Sequence, residues 1–178
     1  MSSSDSGETP KAQKRPSGGR RKGSMKRSLA RLAAVQGLYQ IEMSENGNAA
    51  LVVEEFLRHR LNDEVDGLDI SEADQDLLTA LIKGTTAERD RLDDMLAAVL
   101  SDEWPVDRLQ TLLKVLLRTA VYELSERLDT PVKVVITEYM DLAHSFFSEK
   151  EPALVNGVLD RVARSLRPEE LEDGAASS

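Results

Sequence analysis

The stretch from Val106 to Arg127 places Leu109, Leu112, Leu113, Leu116, Leu117, Ala120, Val121 and Leu124 three and four residues apart, so a helix built from it is apolar around most of its circumference. Such a helix is stable in water only if other elements cover it on several sides, which makes it the predicted centre of the fold. No window elsewhere alternates as a half-buried strand would, and aromatics are 4% of the 178 residues. The core must therefore come from Leu, Val, Ala and Ile on helices, and the predicted architecture is an all-α, single-domain helical bundle.

The remaining helices follow from periodicity and caps. A first helix is expected from Ser24–Ser28 to about Ser44, burying Leu29, Leu32, Ala33, Gln36, Tyr39 and Met43, with Val35, Leu38 and Ile41 widening the face. After the Glu45-Asn46-Gly47-Asn48 turn, a short helix from Ala49 to Leu61 presents Leu51, Val52, Phe56 and Leu57 or Leu61. Asn62 to Ile70 reads as an acidic loop, and Ser71 as the N-cap of a helix reaching Leu100, or of two helices broken at Gly84. Trp104 is expected to be a structural plug in the following connection. Thr130-Pro131 is a helix start for a segment burying Val134, Val135, Tyr139, Leu142 and Phe146. A last helix from Glu151-Pro152 to Ser165 buries Leu154, Val155, Val158, Leu159 and Val162.

Charge is divided sharply along the chain. Residues 1 to 31 carry nine Lys and Arg against Asp5 and Glu8, a net of +7, whereas the other 14 basic and 30 acidic residues give −16. A polyanion responds to the field within about a Debye length, roughly 8 Å at physiological salt, so the local excess outweighs the overall charge of −9. Residues 1–24, rich in Ser, Gly and Pro, are expected to be a disordered basic tail. From Lys26 to Arg31 the cations continue into a helix and should project from its rim. Residues 169–178 are expected to be an acidic, frayed tail.

Catalytic chemistry finds little support. Cysteine is absent, which removes disulfides, thiolate metal sites and a cysteine nucleophile together, and His59 and His144 are the only histidines. No activated-serine motif or glycine-rich phosphate loop occurs, and Glu123, Glu126 and Glu138 are expected to cap or pair. No apolar run approaches the roughly 20 residues of a membrane span and no signal peptide is recognisable, so a soluble, cytoplasmic protein is expected.

Several runs together resemble the NusB family of transcription antitermination factors: Arg31-Leu32-Ala33-Ala34-Val35-Gln36-Gly37-Leu38-Tyr39; Leu117 to Leu124; Pro131 to Glu138; Phe146; and Val155-Asn156-Gly157-Val158-Leu159-Asp160-Arg161. The resemblance covers about residues 25 to 168, which would form the RNA-binding domain. It implies two small helical halves, no catalysis and no cofactor. It also implies binding of single-stranded boxA RNA as a heterodimer with NusE, a small-subunit ribosomal protein, and joining of RNA polymerase to suppress termination, notably on ribosomal RNA operons. The family's basic arm falls on Lys26, Arg27 and Arg31, with Arg20, Arg21 and Lys22 upstream as compensation for Ser28 and Leu29.

Bases would then be contacted at the nearby start of the last helix. There Lys150 supplies a charge that the family places closer to Val-Asn-Gly, and Leu154 leaves base stacking open. Tyr39 and Tyr122 are candidate partner-surface or packing residues, and Leu113 stands where the family frequently has an acid. Asn156 is expected to bond a buried backbone group and Gly157 to permit a close helix crossing. Two other readings remain: a helical interaction adaptor without RNA, and the NusB-like part of RNA cytosine methyltransferases. The second would need a cofactor-binding sheet, for which this chain has no segment.

Overall fold

The structure, a computed structural model, describes residues 17–44, 50–51, 53–54, 58, 64–65 and 68–172. The turn expected at 45–48, together with Val52, Phe56, Leu57, His59 and Leu61, lies outside these residues. Among the described residues the helices that carry the fold are α1 (Ser17–Met43), α2 (Gln75–Ala87), α3 (Arg89–Val99), α4 (Thr111–Glu126), α5 (Val132–Phe146), α6 (Lys150–Leu166) and α7 (Pro168–Glu172). A minimal antiparallel ribbon pairs β1 (Glu64–Val65) with β2 (Leu68–Asp69), and 3-10 turns precede α2 and α4.

The apolar stretch that organises the sequence becomes α4, and it packs against α1, α2, α3, α5 and α6. Leu113, Leu116, Leu117, Ala120, Val121 and Leu124 are all buried, and the expected helical start at Val106 is instead a 3-10 turn that delivers Leu109 to the core. Helices α1 and α2 pack against each other as well as against α4, as do α5 and α6, and α1 also touches α5. The close approach of α1 follows from its small buried residues Ala30, Ala33, Ala34 and Gly37. Its outer positions are less deeply placed than periodicity suggests, and Met43 is exposed. Leu51 and Val134 are also exposed where burial was expected, while Val53 is buried. Trp104 packs against the core, as its reading as a plug implies.

Several helix boundaries differ for physical reasons. Helix α1 starts at Ser17, so residues 17–24 are helical rather than tail; Gly18, Gly19 and Gly23 have open space around them. The N-cap of α2 is Asp74, whose carboxylate accepts from the Leu77 N–H at 3.0 Å, and Ser71 lies in the preceding 3-10 turn. The chain breaks at Glu88, between α2 and α3, not at Gly84. Gly84 is small because Tyr122 covers it: a Cβ there would lie 1.9 Å from the Tyr122 Cζ.

Helix α5 has no side-chain cap from its own N-terminus. The Glu170 carboxylate, from α7, accepts from the Val132 N–H at 3.0 Å, and Arg167 donates to the Thr130 carbonyl at 2.8 Å and the Leu128 carbonyl at 3.4 Å. Residues 167–172 are therefore an ordered clamp, which corrects the expectation of a frayed end. Asn156 is exposed, so its expected bond to a buried group does not form. Gly157 accommodates Arg161, which donates to the Gly157 carbonyl at 3.2 Å and also to the Val99 carbonyl.

Two outcomes check these contacts. Gly84→Ala destabilises the protein with Tyr122 present, because the ring must be displaced; in a Tyr122→Ala background the same change stabilises by about 1 kcal/mol through helix propensity. A double-mutant cycle by urea denaturation measures that sign reversal. The second concerns Glu170, whose carboxyl is held below its ordinary value of 4.5 by the Val132 N–H and then by Arg167, against the opposing effect of burial. A depressed folded-state pKa contributes stability above the unfolded value that is lost as pH falls through the folded one. Glu170→Gln is accordingly less stable than the unmodified chain near neutral pH, and the two converge as pH falls below the carboxylate range in thermal melts.

Candidate nucleic-acid interface

The basic run lies along the first turns of α1. Arg20, Arg21, Lys22 and Arg27 are exposed, and none has an ion-pair partner among the described residues. Lys26 is half-exposed, with its Nζ 3.9 Å from the still more exposed Glu72, a pair that contributes little in water. Its carbonyl accepts from the Asp74 N–H at 3.0 Å, which pins the start of α2 beside this turn. The arm is thus held on one helix, and that helix is fixed to the body at about its third turn.

Arg31 is a different kind of residue, and its expected phosphate contact is corrected. Its side chain is 2% exposed and donates to Glu123 on α4 at 2.6 Å through Nη2 and 3.0 Å through Nε; Nη1 lies 3.5 Å from Glu138 on α5. Tyr139 donates to the second Glu123 oxygen at 2.9 Å. Burial by itself would lower the Arg31 pKa, but the hydrogen bonds and charge of Glu123 outweigh it and raise it. Desolvation and then the Glu123 charge push the Tyr139 phenol well above its ordinary value, so it stays a donor. A guanidinium satisfied in this way has no face left for a phosphate. The sequence signal was available: Arg31 falls within the apolar stripe of α1, and Glu123 sits between the buried Val121 and Leu124.

Beside Arg27 the surface forms a cleft of about 220 Å³ between the first turns of α1, the start of α2 and the α4–α5 turn. Arg127, Asp129, Thr130 and Val134 line it with Arg27 and Asp74. Of these, Arg27 is expected at an RNA site, Thr130 reads as a helix start and Val134 as a buried position, whereas Arg127 and Asp129 carry no motif.

The second expected RNA region is not adjacent. Because the C-terminal end of α6 is clamped to the start of α5, the start of α6 follows the far end of α5. Val134 to Phe146 is a rise of roughly 18 Å along that helix. Lys150 is exposed there, and Leu154 is partly buried against the core. Leu113, expected to face a partner, is 1% exposed and belongs to the core. Tyr122 packs over Gly84, and Tyr39 is half-buried.

Elsewhere the body is acidic. A second cleft, of about 350 Å³, is lined by Asp93, Asp94, Asp102 and Asp107, a field that repels phosphate. Glu123, Glu126 and Glu138 pair with arginines, and His144 is exposed. Among the described residues no group of His, Asp and Glu could hold a metal, and no helix is long and apolar enough to cross a membrane.

The NusB family model matches residues 28–164. The chain belongs to the NusB family. It is 43% identical over 143 residues to transcription antitermination protein NusB of Rhizobium etli, covering 80% of this chain and 89% of that one. The Mesorhizobium japonicum protein of the same name is 44% identical over 144 residues, covering 81% and 92%. The crystallised T. maritima NusB superposes with a TM-score of 0.65 at 27% identity, covering 82% of this chain and 96% of that chain. A NusB chain solved with NusE and double-stranded RNA gives 0.59 at 22% identity, covering 78% and 96%, and shares the fold. The NusB fold therefore explains the helix order, and the family match begins one residue after Arg27.

The division between Arg31 and Arg27 is measurable. Arg31→Ala leaves Glu123 buried without its partner and costs about 3–5 kcal/mol. Arg27→Ala stays within about 0.5 kcal/mol of the unmodified chain. Urea denaturation of both variants decides whether Arg31 is the structural cation.

Proposed function

We propose that this chain acts as a transcription antitermination factor, binding boxA-type single-stranded RNA together with NusE and joining RNA polymerase without itself catalysing a reaction. The observation that carries the reading is the row of exposed, unpaired cations Arg20, Arg21, Lys22 and Arg27 on one helix of a NusB-family body whose remaining surface is acidic. Cations on a rigid helix supply sequence-independent affinity for phosphates, and unpaired bases supply the specificity. The NusB solved with NusE and double-stranded RNA supports NusE and RNA as partners here, and the relatives named transcription antitermination protein NusB support the role. Such a role belongs to the cytoplasm, where transcripts emerge.

Anisotropy titration of a boxA oligonucleotide in the presence of NusE tests this. Three to four phosphate contacts give a log–log salt slope of roughly −2 to −3. Replacing Arg20, Arg21 and Arg27 together by Glu abolishes binding while leaving the melting temperature unchanged. Undiminished binding by the triple variant would remove the arm from the site.

A further inference from the structure

Resting on that RNA-binding reading, we propose that the cleft between α1 and the α4–α5 turn seats one phosphodiester of the bound RNA, with the attached base against Val134. Two arginines, Arg27 and Arg127, line the cleft from different elements. Arg27 has no ion-pair partner among the described residues. The Arg127 Nε is buried without a hydrogen-bond partner, and its ion pair with Asp129 is long, at 3.8 Å. The Arg127 side chain as a whole is 34% exposed, so an anionic oxygen can meet the accessible part of its guanidinium in a charge-assisted hydrogen bond.

The two acids in the cleft do not neutralise this preference equally. Asp74 is committed to the α2 cap, and Asp129 is mostly exposed, so solvent screens it. Val134 is an apolar side chain left 44% exposed on the wall, on the first turn of α5. An aliphatic surface beside two arginines suits a nucleotide, which has an anionic and an apolar part. At about 220 Å³ the cleft is below the roughly 300 Å³ at which small-molecule sites begin, and it suits a phosphate with part of one nucleoside. The RNA path then runs from the α1 arm over the α4–α5 turn, not first to Lys150 and Leu154.

Val134 is exposed, so charges placed there report on the cleft without disturbing the core. With the full chain, NusE and a boxA oligonucleotide, Val134→Glu weakens RNA binding about tenfold and Val134→Lys strengthens it severalfold, and both effects shrink at high salt. Arg127→Gln flattens the log–log salt slope by about 0.7, the value of one single-strand phosphate contact. A 4-thiouridine scan of the same RNA crosslinks to residues 127–134. Crosslinks only around Lys150–Leu154, or unchanged RNA affinity in both Val134 variants, overturn the cleft assignment; the arm reading still stands if the Arg20, Arg21 and Arg27 variant loses binding. A change in NusE affinity alone makes the cleft a protein contact and also overturns it. Failure of the unmodified chain to bind RNA at all removes the functional reading itself.

Discussion

The bidentate pair between Arg31 and Glu123 determines how α1 sits on the rest of the molecule. It joins α1 to the central helix, and Tyr139 and Glu138 extend it to α5, so three helices meet at one buried set of hydrogen bonds. Burying two charges in a leucine-rich core is expensive, and a hydrophobic replacement of equal shape can be as stable. What the pair adds is orientation. An apolar face of Ala30, Ala33 and Ala34 could slide or rotate along α4 with modest loss, whereas a guanidinium fork that must meet one carboxylate fixes both the rotation and the height of α1.

That orientation has a consequence one turn away. Arg27 precedes Arg31 by four residues, so it lies on nearly the same side of α1, displaced by about 6 Å along the axis. At Arg31 this side is enclosed by α4 and α5. At Arg27 it has passed the end of α4 and overlies the α4–α5 turn, where the cleft opens. Two arginines with the same chemistry and the same helical phase therefore do opposite things: the inner one holds the helix, and the outer one stays free. The arm can present charge at a defined place because the pair behind it prevents the helix from turning.

Much of this was legible in the sequence, and the failures share a cause. Helix positions and the central role of α4 follow from the three-and-four spacing of apolar residues, and burial of Leu77, Leu78, Leu81 and Ile82 matches that spacing. Periodicity, however, gives a residue's phase and not what stands opposite it. Arg31 was assigned to the rim by its charge, although its phase placed it inside, because Glu123 is 92 residues away. The cap of α5 was sought next to Pro131, but its donor is met by Glu170, 38 residues later. Arg127 carries no local pattern, periodicity puts Val134 on the buried face of its helix, and the two become a cleft only when the turn between α4 and α5 meets α1.

The clamp at the C-terminal end of α6 completes the same logic. Arg167 is buried, donates to the carbonyls of Leu128 and Thr130, and pairs with Glu170, which caps α5. These bonds hold the backbone on both sides of Asp129, the segment that carries the cleft's outer wall. Without them the α4–α5 turn would depend only on its own short-range bonds, from Thr130 N–H to the Arg127 carbonyl at 3.1 Å and from Arg127 N–H to the Glu123 carbonyl at 3.0 Å. Residues from α1, from the end of α4 and from beyond α6 thus converge on one small patch, and the two arginines that give it positive charge keep their positions because other arginines, Arg31 and Arg167, have been used up inside the fold.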